Sequence, residues 1–301
     1  MAKLFAMKKF FKWFGIILGS LILLIVIILF VLKFNAESRL SKTYSINISV
    51  PVIPTDSASL EAGKHWSNLC TGCHRYDFAG KVFFNDPKLG SVSSLNLTSG
   101  KGGVGKTLTD KDWVIALRHG VKPDGHPLLA MPAKDFNNMG EKELASLIAY
   151  MKSIPPVDQE LPPTNLKFLG KILLSIGAFG DALSAEVIDH DKGFDPVPAA
   201  GKTVEYGHYL VNISGCRTCH GKQLTGGKDP NPAAPPAPDL TIGGHLGKWK
   251  VDDFTKTLRT GQTPERKALN MEFMPWDVFG KYNDNEISAI FAYLGSLPVK
   301  K

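Results

Sequence analysis

The four cysteines of this 301-residue chain fall in two short stretches, Cys70-Thr71-Gly72-Cys73-His74 and Cys216-Arg217-Thr218-Cys219-His220. Both read C-x-x-C-H, and the spacing has a chemical reason. One helical turn separates the thiols, so each forms a thioether with one vinyl group of a single porphyrin. The histidine that follows then lies under the iron with a ring nitrogen as axial ligand. Each stretch therefore predicts one covalently bound haem c, two in all, held by Cys70, Cys73 and His74 and by Cys216, Cys219 and His220. A dithiol redox pair needs no following histidine and belongs in a βαβ setting that neither stretch has. A zinc site would need both pairs on one ion, although each pair has its own complete domain around it.

An iron that only carries electrons needs a second axial group. Met131 and Met274 are the candidates, 57 and 54 residues beyond His74 and His220. Both stand before proline, at equivalent places in an internal repeat. Methionine also serves as a plain filler of core gaps, but recurrence at one repeat position favours ligation. Met139 and His126 in the first copy, and Met271 in the second, are the competitors. His65, His119, His190, His208 and His245 receive no role.

The repeat that frames these residues covers most of the chain. Glu61-Ala62-Gly63 returns as Glu205-Tyr206-Gly207, and Asn96-Leu97-Thr98 as Asp239-Leu240-Thr241. Leu117-Arg118-His119-Gly120 returns as Leu258-Arg259-Thr260-Gly261, and Met131-Pro132 as Met274-Pro275. The ending Ala149-Tyr150 with Ser153-Ile154-Pro155 matches Ala292-Tyr293 with Ser296-Leu297-Pro298. Each copy reads as a glycine-bearing helix running into the haem motif, a glycine- and proline-rich loop, a middle helix with an acidic start, and a last helix stopped by proline. The last helices are expected over Glu141–Ser153 and Asp284–Ser296, with Leu144, Leu147, Ile148 and Met151 on one apolar face. So few helices in about 90 residues make a thin core, which a porphyrin would complete; the apo-domains should fold poorly.

Ahead of the repeat, Trp13 to Leu32 is a run of 20 uncharged, mostly apolar residues. At about 1.5 Å per residue it matches the roughly 30 Å hydrocarbon core of a bilayer. No small-residue cleavage site follows it, so it reads as an uncleaved anchor and not as a signal peptide. Lys3, Lys8, Lys9 and Lys12 precede it, which predicts the amino terminus inside and the haem domains outside. The expected setting is a single-pass protein of the bacterial inner membrane, amino terminus cytoplasmic and haem domains periplasmic.

The formal charge of +7 does not signal nucleic acid, since five lysines lie within the first 34 residues and the remainder carries only about +2. Gly100-Lys101-Gly102-Gly103-Val104-Gly105-Lys106-Thr107 matches the phosphate-binding loop pattern. It lacks a buried strand before it, and in the second copy only Gly247-Lys248 survives, so no nucleotide is expected. Between the copies, Leu166 to Phe179 is mostly apolar and too short to span a bilayer. It reads as a helix packed between the two domains, with a place on the bilayer surface as the other option.

Through C-x-x-C-H, the Asn-Leu-Thr and Asp-Leu-Thr turns, Leu-Arg-x-Gly, Met-Pro and Ala-Tyr-x-x-Ser-x-Pro, about residues 60 to 300 resemble the dihaem c-type cytochromes. The likeness is to the cytochrome subunits of membrane-bound bacterial alcohol dehydrogenases. Those subunits usually carry three haem motifs, and this chain has two. The resemblance implies an all-α fold, with His74 and Met131 on one iron and His220 and Met274 on the other. It also implies Gly63 packed on Tyr150 and Gly207 on Tyr293. The resulting expectation is an anchor at 1–40, cytochrome c domains at 55–156 and 203–301, and a linker with a short apolar helix at 157–202. Its function would be to relay single electrons, as a carrier and not an enzyme. Electrons would come from a dehydrogenase or the quinol pool and leave to another cytochrome or a terminal oxidase. A dihaem peroxidase and a fixed haem subunit of a larger oxidase or dehydrogenase complex are the alternatives.

Overall fold

In the computed structural model, which describes residues 2–228 and 234–299, the chain begins with one long helix, α1 (Ala2–Leu40). Its stretch Met7–Leu40 is long and apolar enough to cross a bilayer, and its large apolar side chains from Phe10 to Val31, apart from half-buried Leu29, are exposed. The helix continues past Leu32 without a break, because nothing from Lys33 to Leu40 is glycine or proline.

The first repeat copy is built from α2 (Ser57–His74), α3 (Asp110–His119), α4 (Ala133–Phe136) and α5 (Glu141–Ser153). Local chemistry sets the ends of these helices. Asp56 caps α2 by accepting the Ser59 N–H at 2.9 Å, and Thr109 with Asp112 forms a reciprocal capping box on α3. α5 stops at Ser153 because Ile154, preceding proline, is held in extended backbone at φ −66°, ψ 133°. Leu144, Leu147, Ile148 and Met151 are all buried, so the expected apolar face is the one that packs. Between α2 and α3 the sequence suggests only loop, yet a hairpin forms from β1 (Val82–Asp86) and β2 (Gly90–Ser93), joined by β3 (Asn165–Leu166). Asp86 closes its turn by accepting the N–H groups of Lys88 and Leu89.

The crossing of α2 and α5 requires Gly63. A Cβ there would collide with the Ser146 carbonyl and lie 2.8 Å from Tyr150 Cβ. The glycine-on-tyrosine contact implied by the family resemblance is therefore present.

After α6 (Phe168–Ser175), the second copy repeats the plan with α7 (Val204–Ile213), α8 (Cys216–His220), α9 (Val251–Thr260), α10 (Trp276–Phe279) and α11 (Asp284–Ser296). A short ribbon of β4 (Thr225–Gly227) and β5 (Ala237–Asp239) follows the motif; residues 229–233 of its proline-rich loop lie outside the described residues. Gly207 meets the Ala289 carbonyl and Tyr293 as Gly63 meets Ser146 and Tyr150. One difference matters. The first copy runs from glycine to haem motif in a single helix, whereas the second breaks at Ser214-Gly215. Gly207 and Cys216 are two residues further apart than Gly63 and Cys70. Two extra residues would rotate the motif by about 200° around a continuous helix. The break, with Gly215 in the left-handed region at φ 67°, restores its direction.

Of the linker expected at 157–202, residues 157–197 wrap the first copy as a belt. Asn96 donates to the Val157 carbonyl at 2.8 Å, Ser184 to the Met131 carbonyl at 2.7 Å, and the Arg118 guanidinium to the carbonyls of Lys192 and Gly193. The expectation that the apolar segment packs between the two domains is corrected. α6 lies against the end of α1, antiparallel to it: Lys171 pairs with Glu37 at 2.7 Å, and Ser175 donates to the Leu32 carbonyl at 2.5 Å. Leu174, Leu166 and Ala36 close a small core there, and a fork of Arg39 onto Glu186 seals it. The apolar pattern marked a buried face; it carried no information about which surface would cover it. The turn after α6, through Gly177, Ala178, Gly180 and Asp181, borders the cleft toward the second copy.

The copies join reciprocally. α10 lies on α2, with Val278 3.7 Å from where a Gly72 Cβ would stand. α4 approaches α7, with Asp135 Oδ2 2.7 Å from the corresponding point on Gly215. Tyr76 donates to Asp277, and His65 Nε2 sits 2.9 Å from Glu286 Oε1, a carboxylate only 4% exposed.

Candidate haem sites

His74 ends α2 and His220 ends α8, each nearly buried. The Nδ1–H of His74 donates to the Leu95 carbonyl at 2.8 Å, and that of His220 to the Pro238 carbonyl at 2.8 Å. A carbonyl only accepts, so the proton is on Nδ1 and Nε2 is left bare to bind a metal. The acceptors are equivalent residues of the repeat. Each precedes the Asn-Leu-Thr or Asp-Leu-Thr turn, in which the Asn96 or Asp239 side chain accepts the N–H two residues on. The internal repeat singled out the turns but not their purpose, which is to hold the carbonyl that orients the imidazole. Burial lowers the proton affinity of both histidines and so favours the neutral, ligating form.

Burial pushes the thiols of Cys70 and Cys216 up to about 12. They remain protonated, unlike the activated thiolate of a redox dithiol. None of the four cysteines is disulfide-bonded, and among the described residues no group of three or more His, Cys, Asp and Glu is placed to hold a metal ion. The two C-x-x-C pairs do not converge on one zinc.

Met131 and Met274 occupy matching loops. Each is half-buried against the core, each is followed by a proline of near-identical backbone (φ −80°, ψ 49° and φ −75°, ψ 64°), and each carbonyl accepts the N–H two residues on. Their competitors have other surroundings. Met139 is a fully buried core residue, Met271 is exposed, and His126 faces Asp124 at 3.2 Å. Of the histidines left without a role, His119 meets His190 at 3.0 Å, and His208 meets Asn212 at 3.2 Å.

The residues fit a haem in each copy. The donor set of two thiols and one bare imidazole nitrogen is complete, and beside the first motif's core the buried Trp113 Nε1 has no partner. A haem propionate is the kind of acceptor that donor lacks. The false phosphate loop is used up internally: Lys101, Gly103, Val104 and Gly105 donate their N–H groups to Asp158, Gly100, Asn96 and Thr98.

A helical domain occurring twice, each time with thiols, imidazole and methionine in the same places, defines a dihaem electron-transfer protein. A model of the cytochrome c family matches residues 60–155 and again 204–298, and the chain belongs to that family. It carries two haem c groups. It is similar to the fructose dehydrogenase cytochrome subunit of Gluconobacter japonicus, 30% identical over 264 residues, 77% of this chain and 50% of that one. It is 26% identical to a subunit of the nicotinate dehydrogenase of Pseudomonas putida over 80% of this chain and 21% of that one. It is 26% identical to a diheme cytochrome c-type protein of Cereibacter sphaeroides over 81% and 87%. The chain thus spans half the length of the first relative and about a fifth of the second.

Proposed function

We propose that this protein is a membrane-anchored dihaem cytochrome that passes single electrons from a dehydrogenase to a further cytochrome or terminal oxidase, without catalysing a substrate reaction itself. Cys70, Cys73, His74 and Met131 hold one haem, and Cys216, Cys219, His220 and Met274 the other, in domains at 55–156 and 203–301. The observation that carries the assignment is the recurrence of one geometry, an imidazole steered by a backbone carbonyl and a methionine fixed before proline, in two copies of different sequence. When bound, the haem iron supplies a one-electron couple. The chain orients the imidazoles through Leu95 and Pro238, offers a thioether sulfur that favours ferrous iron, and keeps water out with the packed faces of α5 and α11. Two relatives that are named as parts of dehydrogenases support the donor side of this reading.

Two haems per chain survive acid–acetone extraction, because no ligand exchange breaks a thioether. Cys219→Ala weakens or loses one attachment and leaves the first domain's haem intact. A chain from which haem extracts freely sinks the assignment.

α1 is the anchor in this reading, with its amino terminus cytoplasmic and the haem domains in the periplasm. The mature protein retains α1 and stays in the membrane fraction through a high-salt wash. Amino-terminal sequencing that starts near Ala36 or Glu37 would remove the anchor from the picture.

A further inference from the structure

The Met-Pro helix of each domain lies on the haem motif of the other, but the two contacts differ in charge. α4 and α10 are equivalent, and at the same position the first domain has Asp135 and the second Val278. Val278 puts a methyl group against Gly72 within the first motif. Asp135 puts a carboxylate against Gly215, next to Cys216 of the second motif, in the space that the helix break opens. We infer that Asp135 is a positioning charge for the second domain's haem, lowering the potential of the centre bound at Cys216 and Cys219, a role that Val278 cannot play for the first. The inference rests on the haem assignment given above.

The physical basis is simple. An oxidised haem carries one more positive charge than a reduced one, so a neighbouring carboxylate in a poorly solvated place stabilises the oxidised state. Asp135 is in such a place. Burial pushes its carboxyl up to about 6, with Lys134 opposing the rise and Asp181 adding to it. Burial raises the Cys216 thiol, and the same carboxylate adds to that rise. Cys216 is uncharged both as a thiol and as a thioether, so a haem held there would bring the one charge at this site that changes with oxidation state.

Neighbouring groups leave this role to Asp135. Lys134 is paired with Asp181 at 2.6 Å, and both face the cleft shared with Thr218 and Lys228. On α3, Arg118 donates to the belt carbonyls and His119 meets His190; Glu186, on the turn beside α4, is bound to Arg39. From α7, the Tyr209 hydroxyl meets the Gly140 N–H, and from the motif itself Arg217 reaches Asn212 and Tyr293. On α10, Asp277 is bound to Tyr76 on the exposed rim of the other contact.

Ionisation of Asp135 as pH rises through about 6 lowers the second haem's potential, and by linkage reduction of that haem raises the proton affinity of Asp135. The test is an optical redox titration of the full-length protein in detergent, from about pH 5 to about pH 8. Wild type, Asp135→Asn and Asp135→Glu are compared, and haem content is measured first. The wave of the second haem is the one that Met274→Ala displaces. In wild type that wave falls with pH more than its partner does. Asp135→Asn moves it upward at the alkaline end and removes the extra slope, while Asp135→Glu keeps it low. If both waves of a fully loaded Asp135→Asn protein coincide with wild type at every pH, or if only the other wave moves, the inference is overturned. A wild type with fewer than two haems would instead overturn the haem assignment.

Discussion

Replacing Met131 with alanine opens one haem to carbon monoxide and lowers its midpoint potential, and Met274→Ala does the same to the other. The reduced wild-type protein binds little of the gas, because an iron with both axial positions filled must break a bond to accept it. Thioether sulfur is the weaker of the two ligands, and its loss also removes the preference for ferrous iron. Each effect stays within its own domain, since the two methionines stand on separate loops, one tied to the belt through Ser184 and the other to Asn270. Stopped-flow mixing with carbon monoxide and a redox titration of each variant measure both effects. Rapid gas binding or peroxide turnover by the unaltered protein would promote the peroxidase reading over the carrier. If one variant is silent, His126 or Met271 becomes the ligand to examine in that domain.

Gly63→Val destabilises the first domain by about 3 kcal/mol or more and lowers haem incorporation, and Gly207→Val does the same to the second. The added side chain has no free direction: backbone carbonyl stands on one side and the tyrosine Cβ on the other, so the helices must separate. The helix displaced by Gly63→Val carries the thiols and the imidazole itself, and the one displaced by Gly207→Val leads directly into the short helix that carries them, so loss of stability and loss of haem should appear together. Gly295→Ala is the control. Nothing lies within 4 Å of a Cβ there, and in the last turn of α11 alanine gains at most about 0.5–1 kcal/mol over glycine. Denaturant unfolding with haem absorbance as the probe separates the two cases. Gly63→Val behaving like Gly295→Ala would mean that the crossing is not tight.

The chemistry of this protein was more legible in the sequence than its assembly. C-x-x-C-H requires a fixed spacing within one helical turn, and such local constraints survive in a string of letters. The last helices were visible at Glu141–Ser153 and Asp284–Ser296 because an apolar period and a following proline are both local. The role of Leu95 and Pro238 was hidden, since any residue supplies a carbonyl and side-chain identity says nothing about it. The hairpin of β1 and β2 was hidden for a related reason: backbone pairing across a turn leaves weak marks when the strands are short. The position of α6 depended on a partner more than a hundred residues away. Its ion pair with Glu37 could be read only after the chain had folded. Asp135 was overlooked as one acid among many until the fold set it against Gly215.

The unbroken course of α1 into the folded head has a further consequence. A haem protein on a loose tether searches a hemisphere above its attachment point. Here the helix leaves the apolar run at Leu32, continues to Leu40, and is riveted to the head by Arg39, Glu37 and Ser175. With α1 across the bilayer, the head is held at a set height of roughly 10 Å above the hydrocarbon edge. It would turn about the helix axis and drift in the plane of the membrane, and it would tip only as far as α1 itself tilts. A redox partner confined to the same membrane would then need its own centre near that level, and it would meet the head at far higher local concentration than one diffusing freely.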